Sequence, residues 1–201
     1  LLLVCLLICQ LGQAINASLP TNAIIAYNTP FCRDNSIAQP VAITGTGNYT
    51  GGTFSATPTG LSISPTTGAI NPSFSVAGTY VVTYTIPAGV DPEVQVTTTV
   101  QIVAAPNAGT GGNTTVCETS TTAIDLFSLI TGEQAGGTWT RTVGAGGSFN
   151  ASAGVFMPGF GATTSIFTYT VAGISPCVSD TSTATVTINQ QPNAGYGSTV
   201  S

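Results

Sequence analysis

The stretch GTYVVTYTI, residues 78–86, decides the fold that this sequence predicts. Large apolar side chains stand at every second position from Tyr80 to Ile86, and valine and threonine stand between them. A period of two residues is typical of a β-strand with one buried face. The segment STATVTIN, residues 182–189, alternates in the same way. Both stretches therefore predict half-buried strands.

The strand at 78–86 belongs to a block of sequence that occurs twice. Five motifs of the first copy recur in the same order in the second, displaced by 85 or 86 positions. A period of that length corresponds to a whole small domain and not to one coil of a solenoid. The pairs are Cys32 and Cys117, GGTF 51–54 and GGTW 136–139, TGAINP 67–72 and AGVFMP 153–158, YVVTYTI 80–86 and SIFTYTV 165–171, and TTTVQI 97–102 and TATVTI 183–188.

The tetrapeptide PNAG marks the boundaries between the copies. It stands at 106–109 and again at 192–195. Proline cannot donate to a central sheet ladder, and asparagine and glycine tolerate the left-handed conformations of tight joints. The sequence therefore predicts a first repeat at 15–105, a second at 106–191 and the start of a truncated third at 192–201.

Within each copy the signals are those of short strands separated by turns. GLSISPTTGAI, residues 60–70, predicts two short strands joined by a turn, and only TAIDLFSLI, residues 122–130, has helical character, of a turn or two. Seven or so short strands in a repeat of this length predict an antiparallel β-sandwich. The predicted fold class is all-β, with two β-sandwich domains in tandem.

The first 14 residues, LLLVCLLICQLGQA, differ from the rest of the chain. Their apolar run, residues 1–9, is far shorter than the roughly 20 residues that span a bilayer, but it fits the apolar region of a signal peptide. Gly12 and Ala14 place small side chains where cleavage after Ala14 requires them. We therefore expect a signal-peptide remnant and a secreted or cell-surface protein without membrane insertion. The alternative is an apolar first strand or helix.

Charge is scarce in this chain. Charged residues make up 4% of it, its net charge is −5, and its only cations are Arg33 and Arg141, of which Arg141 is expected to be solvated. This balance argues against nucleic acid and anionic membranes as partners. There is no His or Lys to serve as the base for a nucleophile. Two nearby acids, such as Asp91 and Glu93, are not enough for glycosidase chemistry, which needs two carboxylates placed in a cleft. The sequence predicts no enzyme, no catalytic residues, no cofactor and no metal site.

Three cysteines remain once the signal is removed: Cys32, Cys117 and Cys177. In an oxidising compartment Cys117 and Cys177 are the natural pair. The loop of about 60 residues that this pair would close contributes about 4 kcal/mol in the chain-entropy model. Cys32 is then left over, as a free thiol or in an intermolecular pair.

Four aromatic residues are expected in the cores of the two repeats: Phe54, Tyr84, Trp139 and Tyr169. Trp139 alternates with threonine in GGTWTRT, residues 136–142, and aligns with Phe54 of the first copy. Packing in the core is therefore expected for Trp139. The alternative is an exposed tryptophan that stacks on carbohydrate.

GLSISPTTGAINPSFSVAGTYVVTYTI, residues 60–86, resembles the Ig-like, cadherin-like domains of bacterial surface proteins. The second copy, from TTVCETSTTAIDLFSLI at 114–130 to CVSDTSTATVTINQQPNAG at 177–195, looks like the tandem Ig-like repeats of very large adhesins associated with gliding motility and type IX secretion. The resemblance implies tandem Ig-like antiparallel β-sandwich domains at a cell surface. Copies like the first usually carry a second cysteine just before the last strand. Asp91 stands near that place, which implies that Cys32 has lost its partner.

The function expected from these features is that of a non-enzymatic structural or adhesive module of a large secreted repeat protein, either a stalk or an adhesin. Its partner would be an unidentified surface ligand, either a polysaccharide or another cell-surface protein. The alternative is an accessory spacer or carbohydrate-binding β-sandwich region of a secreted multidomain hydrolase.

Overall fold

The computed structural model describes residues 21–89 and 92–191, which form two compact units. Within the described residues, the first unit comprises 21–30 and 35–102, and the second comprises 31–34 and 103–191. The chain passes from one unit to the other three residues before the boundary expected from the repeat, and residues 31–34 belong to the second unit. The predictions of a signal remnant at 1–14 and of a third repeat at 192–201 fall outside the described residues.

The first part of the chain forms six strands and one short 3₁₀ helix. Strand β5 is antiparallel to β4 on one side and to β6 on the other, and β2 lies beside β6. Strands β1 and β3 form a separate antiparallel pair. The strands are β1 (Asn22–Ala26), β2 (Phe31–Cys32), β3 (Ala42–Thr46), β4 (Thr53–Thr57), β5 (Gly78–Ile86) and β6 (Val94–Val103), and the 3₁₀ helix is Pro72–Phe74.

The second unit contains two sheets of four and three strands, in the orders β7-β13-β12-β9 and β10-β11-β8. Strand β7 runs parallel to β13, whereas the other neighbours in both sheets are antiparallel. The strands are β7 (Gly112–Cys117), β8 (Ile124–Asp125), β9 (Thr138–Val143), β10 (Ser148–Asn150), β11 (Val155–Met157), β12 (Ser165–Val171) and β13 (Asp180–Asn189).

The core of the second unit lies between its two sheets. Phe156 of β11 packs on Phe167 of β12, with 4.9 Å between the ring centroids, so that side chains of both sheets share one buried cluster. Face-to-face packing of this kind makes the unit a β-sandwich. The helical character expected at 122–130 is a single 3₁₀ turn, Leu126–Leu129, whose Phe127 amide donates a hydrogen bond to the Asp125 carboxylate at the start of the turn.

The alternation that predicted the strands is confirmed. In β5 the residues Tyr80, Val82, Tyr84 and Ile86 are buried, and the positions between them are exposed or half-buried. β13 shows the same pattern. In contrast, the two short strands expected within residues 60–70 are reduced to one isolated bridge between Ile63 and Ile70. Ile70 also bridges Gln39, so it has neighbours on both sides, as a sheet residue does.

Candidate functional site

The structure joins Cys32 to Cys177, with 5.0 Å between their Cα atoms, and leaves Cys117 as an exposed free cysteine. Both bonded cysteines are buried and belong to the second unit. The predicted pair of Cys117 with Cys177 is therefore wrong, and so is the prediction that Cys32 lacks a partner within the chain.

The register of β13 explains why Cys117 and Cys177 do not meet. Cys117 lies opposite Asn189, the last residue of β13, whereas Cys177 comes three residues before Asp180, the first. At about 3.3 Å per residue, the two ends of this ten-residue strand are about 30 Å apart. A disulfide needs Cα atoms within roughly 7 Å of each other. The register of β13 against β7 therefore excludes a bond between Cys117 and Cys177. The spacing of the cysteines along the sequence could not show this register.

The disulfide lies against the backbone that follows β6. The Cys177 sulfur is 3.5 Å from the carbonyl oxygen of Ala104, and the Arg33 amide donates a 2.9 Å hydrogen bond to the carbonyl of Val103. The carboxylate of Asp34 lies within 4.8 Å of both sulfurs. Because the bonded sulfurs have no thiolate to offer, this group is not a metal site as it stands.

The four aromatic residues expected in the cores are all buried. Phe54 packs on Tyr84 with 4.5 Å between ring centroids, and Trp139 packs on Tyr169 with 5.1 Å. Trp139 is only 3% exposed, so its ring has no free face on which a sugar could stack.

The two buried tyrosines make the same pair of hydrogen bonds in each unit. The Tyr84 hydroxyl accepts from the Gly52 amide at 2.9 Å and donates to the carbonyl of Tyr49 at 3.2 Å. The Tyr169 hydroxyl accepts from the Gly137 amide at 2.9 Å and donates to a carbonyl 35 residues earlier, at 2.8 Å. Donor, tyrosine and acceptor are each displaced by 85 positions between the units. The repeat therefore extends from the sequence to individual hydrogen bonds.

Arg141 is half-buried, and not fully solvated as expected. Its guanidinium donates to the carbonyls of Gly146 and Ala145, at 2.6 and 2.7 Å, and to the hydroxyl of Ser165. It also lies over the rings of Phe156 and Phe167, 5.1 and 5.7 Å from their centroids. Burial lowers the pKa of the Arg141 guanidinium. This residue holds the β9–β10 turn against the core. In a chain with only two basic residues, an arginine two positions after the core residue Trp139 was the sequence feature that could have indicated this role.

The outer face of the four-stranded sheet is an array of threonines. Register places Thr168 between Thr140 and Thr183, and Thr170 between Thr138 and Thr181. These side chains are exposed or half-buried, as are the threonines and serine on the outer face of β4, β5 and β6. Such a face offers neutral hydrogen-bond donors and acceptors. It can keep a nearly uncharged protein hydrated without giving it affinity for ions.

Two exposed phenylalanines occupy the same place in the two repeats. Phe74 is 79% exposed and Phe160 is 95% exposed. They end the aligned motifs NPSF, residues 71–74, and MPGF, residues 157–160, displaced by 86 positions. These two residues were not singled out in the sequence analysis, although the alignment of the two copies places a phenylalanine at the same position in both.

Several acidic side chains accept hydrogen bonds within the protein. Glu93 accepts a hydrogen bond from the Gln95 amide group at 2.9 Å, and its predicted neighbour Asp91 lies outside the described residues. Asp180 accepts from the amide of Ala108 at 2.8 Å, which ties the start of the second repeat to β13. Among the described residues, none of the helices has the length and apolar character needed to cross a membrane.

Solved structures of other proteins resemble this chain. It superposes on hemolin, an insect immune protein, with a TM-score of 0.51 and 9% identity, covering 87% of this chain and 49% of hemolin. The I-band fragment I67–I69 of titin matches with a TM-score of 0.38 and 15% identity, over 87% of this chain and 67% of the fragment. The human desmocollin-1 ectodomain matches with a TM-score of 0.37 and 15% identity, over 85% of this chain and 42% of the ectodomain.

The chain thus spans about half the length of hemolin. No protein-family model and no curated protein matches the sequence. Together with the sheet order, the likeness to hemolin shows an all-β, immunoglobulin-like antiparallel β-sandwich fold.

Proposed function

We propose that this chain is a non-enzymatic structural and adhesive part of a large secreted cell-surface repeat protein. The observation that carries the proposal is the duplicated framework, in which the hydroxyls of Tyr84 and Tyr169 make equivalent pairs of hydrogen bonds. A framework built twice in one chain is what a protein made of serial modules requires. We accordingly propose that 15–105 and 106–191 are two copies of one module and that 192–201 begins another.

Export and extracellular placement form part of the same proposal. The disulfide between Cys32 and Cys177 fits an oxidising compartment. The apolar segment at 1–14 fits a signal peptide. The resemblance to adhesins associated with gliding motility and type IX secretion supplies the proposed setting, a stalk or adhesin at a cell surface. In such a protein, modules hold a binding site away from the cell, and repetition raises avidity.

The proposed partner is another cell-surface protein, with polysaccharide as the other ligand class. The hemolin structure is described as having implications for homophilic adhesion, and we take that kind of contact as the first to test. The threonine faces and the exposed Phe74 and Phe160 are uncharged and accessible, as a contact between two copies of an acidic chain requires.

Adhesion of coated beads tests this function. Beads carrying the oxidised full chain at several densities are mixed with one another and, separately, with immobilised polysaccharides. We expect retention that rises more steeply than the coating density, because avidity grows with the number of simultaneous contacts. Beads coated with albumin serve as the control. Retention no greater than that of albumin on every surface would contradict the adhesive function.

The exposed phenylalanines favour a second candidate, a carbohydrate-binding region of a secreted hydrolase. Aromatic rings present an apolar face to ligands, and this chain presents one at the same place in each repeat. In a glycan array, Phe74→Ala combined with Phe160→Ala should abolish binding. Ile174→Ala, at another exposed apolar position, should leave binding unchanged. Glycan binding with this dependence, without bead aggregation, would favour the second candidate over the first.

A further inference from the structure

Cys117 occupies in the second repeat the place that Cys32 occupies in the first. The two cysteines are displaced by 85 positions, as are the flanking motifs. Each is the last residue of a strand, β7 or β2, that lies beside the last strand of its repeat, β13 or β6. Cys32 and Cys117 are therefore equivalent in strand topology as well as in sequence.

The backbone next to each cysteine shows the same equivalence. The Arg33 amide donates to the carbonyl of Val103, the last residue of β6, at 2.9 Å. The Glu118 amide donates to the carbonyl of Asn189, the last residue of β13, at 3.0 Å. Each cysteine is thus fixed at the point where the chain leaves its repeat.

At this position in the first repeat the cysteine is already bonded. Its partner, Cys177, lies in the connection between β12 and β13 of the following repeat, and the Cys177 sulfur is 3.5 Å from the Ala104 carbonyl, just past the end of β6. Both cysteines of the pair are buried, whereas Cys117 is exposed and free. Cys117 is therefore the unpaired copy of a position that is covered when it is paired.

We infer that Cys117 is a crosslinking cysteine. It forms a disulfide with the cysteine at the Cys177 position of a further copy of the repeat, joined after residue 191. This inference rests on the proposed tandem function. The two thiols lose two protons and two electrons as the sulfur–sulfur bond forms. A low-molecular-weight disulfide, such as oxidised glutathione, accepts both and is released as two thiols.

A chain extended by one repeat tests the inference. Residues 106–191 are added again after residue 191 of the full chain, with Cys5→Ser and Cys9→Ser to simplify the thiol count. The protein is oxidised in a glutathione mixture, its free thiols are alkylated, and its peptides are mapped without reduction. We expect Cys117 to be linked to the loop cysteine of the added copy, and the only alkylated thiol to be the strand-end cysteine of that copy. In the matched Cys117→Ser variant, the added loop cysteine should also be alkylated.

Limited proteolysis separates the ways in which the inference can fail. If the added copy resists protease but Cys117 is alkylated, the crosslink is refuted and the tandem function stands. If the added copy is digested while residues 21–191 resist, the repeat does not fold as a serial module, and both the tandem function and the crosslink fail.

Discussion

Single side chains tie together segments that are distant in the sequence. The Tyr27 hydroxyl donates a 2.6 Å hydrogen bond to the carbonyl of Gly68, 41 residues away. Gly68 has a φ of +70°, and a Cβ there would lie 2.7 Å from the ring of Phe54. The turn PTTG, residues 65–68, therefore ends in glycine for two reasons, its left-handed backbone and the close approach of a core ring. The hydroxyl of Tyr27 fixes that turn to the start of the unit.

Tyr27→Phe should destabilise the protein by about 1 kcal/mol at neutral pH, because the Gly68 carbonyl loses its donor. Burial raises the pKa of Tyr27 above its ordinary value of 10.0. The folded state therefore keeps the phenolic proton where the unfolded state loses it. The stability that this group contributes is complete below pH 10 and is lost as the pH rises through the higher, folded-state pKa. Urea unfolding should show the difference between the two proteins shrinking above about pH 10. A difference that stays constant or grows would contradict this account.

For single residues, the sequence could predict which side chains are buried. It could not predict which cysteines form the disulfide. Alternation with threonine is sufficient to place Trp139 inside, because neighbouring side chains on a strand point to opposite faces. Which cysteine can reach Cys177 depends instead on which strand ends lie together, and the register of β13 against β7 places Cys117 at the far end of β13. No local pattern in the sequence contains that register.

At the scale of elements, the β9–β10 turn depends on one side chain. The segment between the strands, residues 144–147, contains three glycines with positive φ and makes no apolar contribution to the core. Arg141 supplies the contact with the core that the turn itself lacks. Its guanidinium donates to the carbonyls of Ala145 and Gly146 and lies over the ring of Phe156. A planar group with several fixed donors can do both at once.

Arg141→Lys should therefore cost roughly 1–3 kcal/mol of unfolding free energy although it conserves charge, since a lysine cannot donate to two carbonyls in a fixed plane and cover a ring. The matched control is Arg33→Lys, at an exposed position, which should change stability by less than about 0.5 kcal/mol. Chemical denaturation of both variants measures the difference. Equal stability of the two would show that the turn is held by its backbone alone.

The strands themselves were predictable to different degrees. β5 and β13 are long and alternate strictly, so period alone predicts them. Residues 60–70 alternate too briefly, and their pairing is limited to a bridge at Ile70. The parallel contact of β7 with β13 could not be predicted. Strands joined by short turns form antiparallel pairs, whereas β7 pairs with a strand 72 residues further along the chain.

At the scale of the whole molecule, the disulfide determines how much of the chain can be extended. Cys32 and Cys177 are 145 residues apart, so the bond closes a loop that holds most of the strands. A force applied at the two ends passes through the sulfur–sulfur bond and bypasses that loop. Only the 31 residues before Cys32 and the 24 after Cys177 lie outside it. For a stalk, this means that stretching cannot unfold the loop while the bond is intact.

Single-molecule stretching of the full chain from its two ends should show this directly. The oxidised protein should lack about 500 Å of extension that Cys32→Ser releases, since a loop of this length extends by roughly 3.5 Å per residue. Reduction of the unmodified protein should release the same length. Cys117→Ser is the matched control, because it removes a cysteine without opening the loop, and it should extend no further than the oxidised parent. If Cys32→Ser and the oxidised parent reach the same length, the disulfide does not bear the applied force. The bond would then not limit extension of this protein as a stalk.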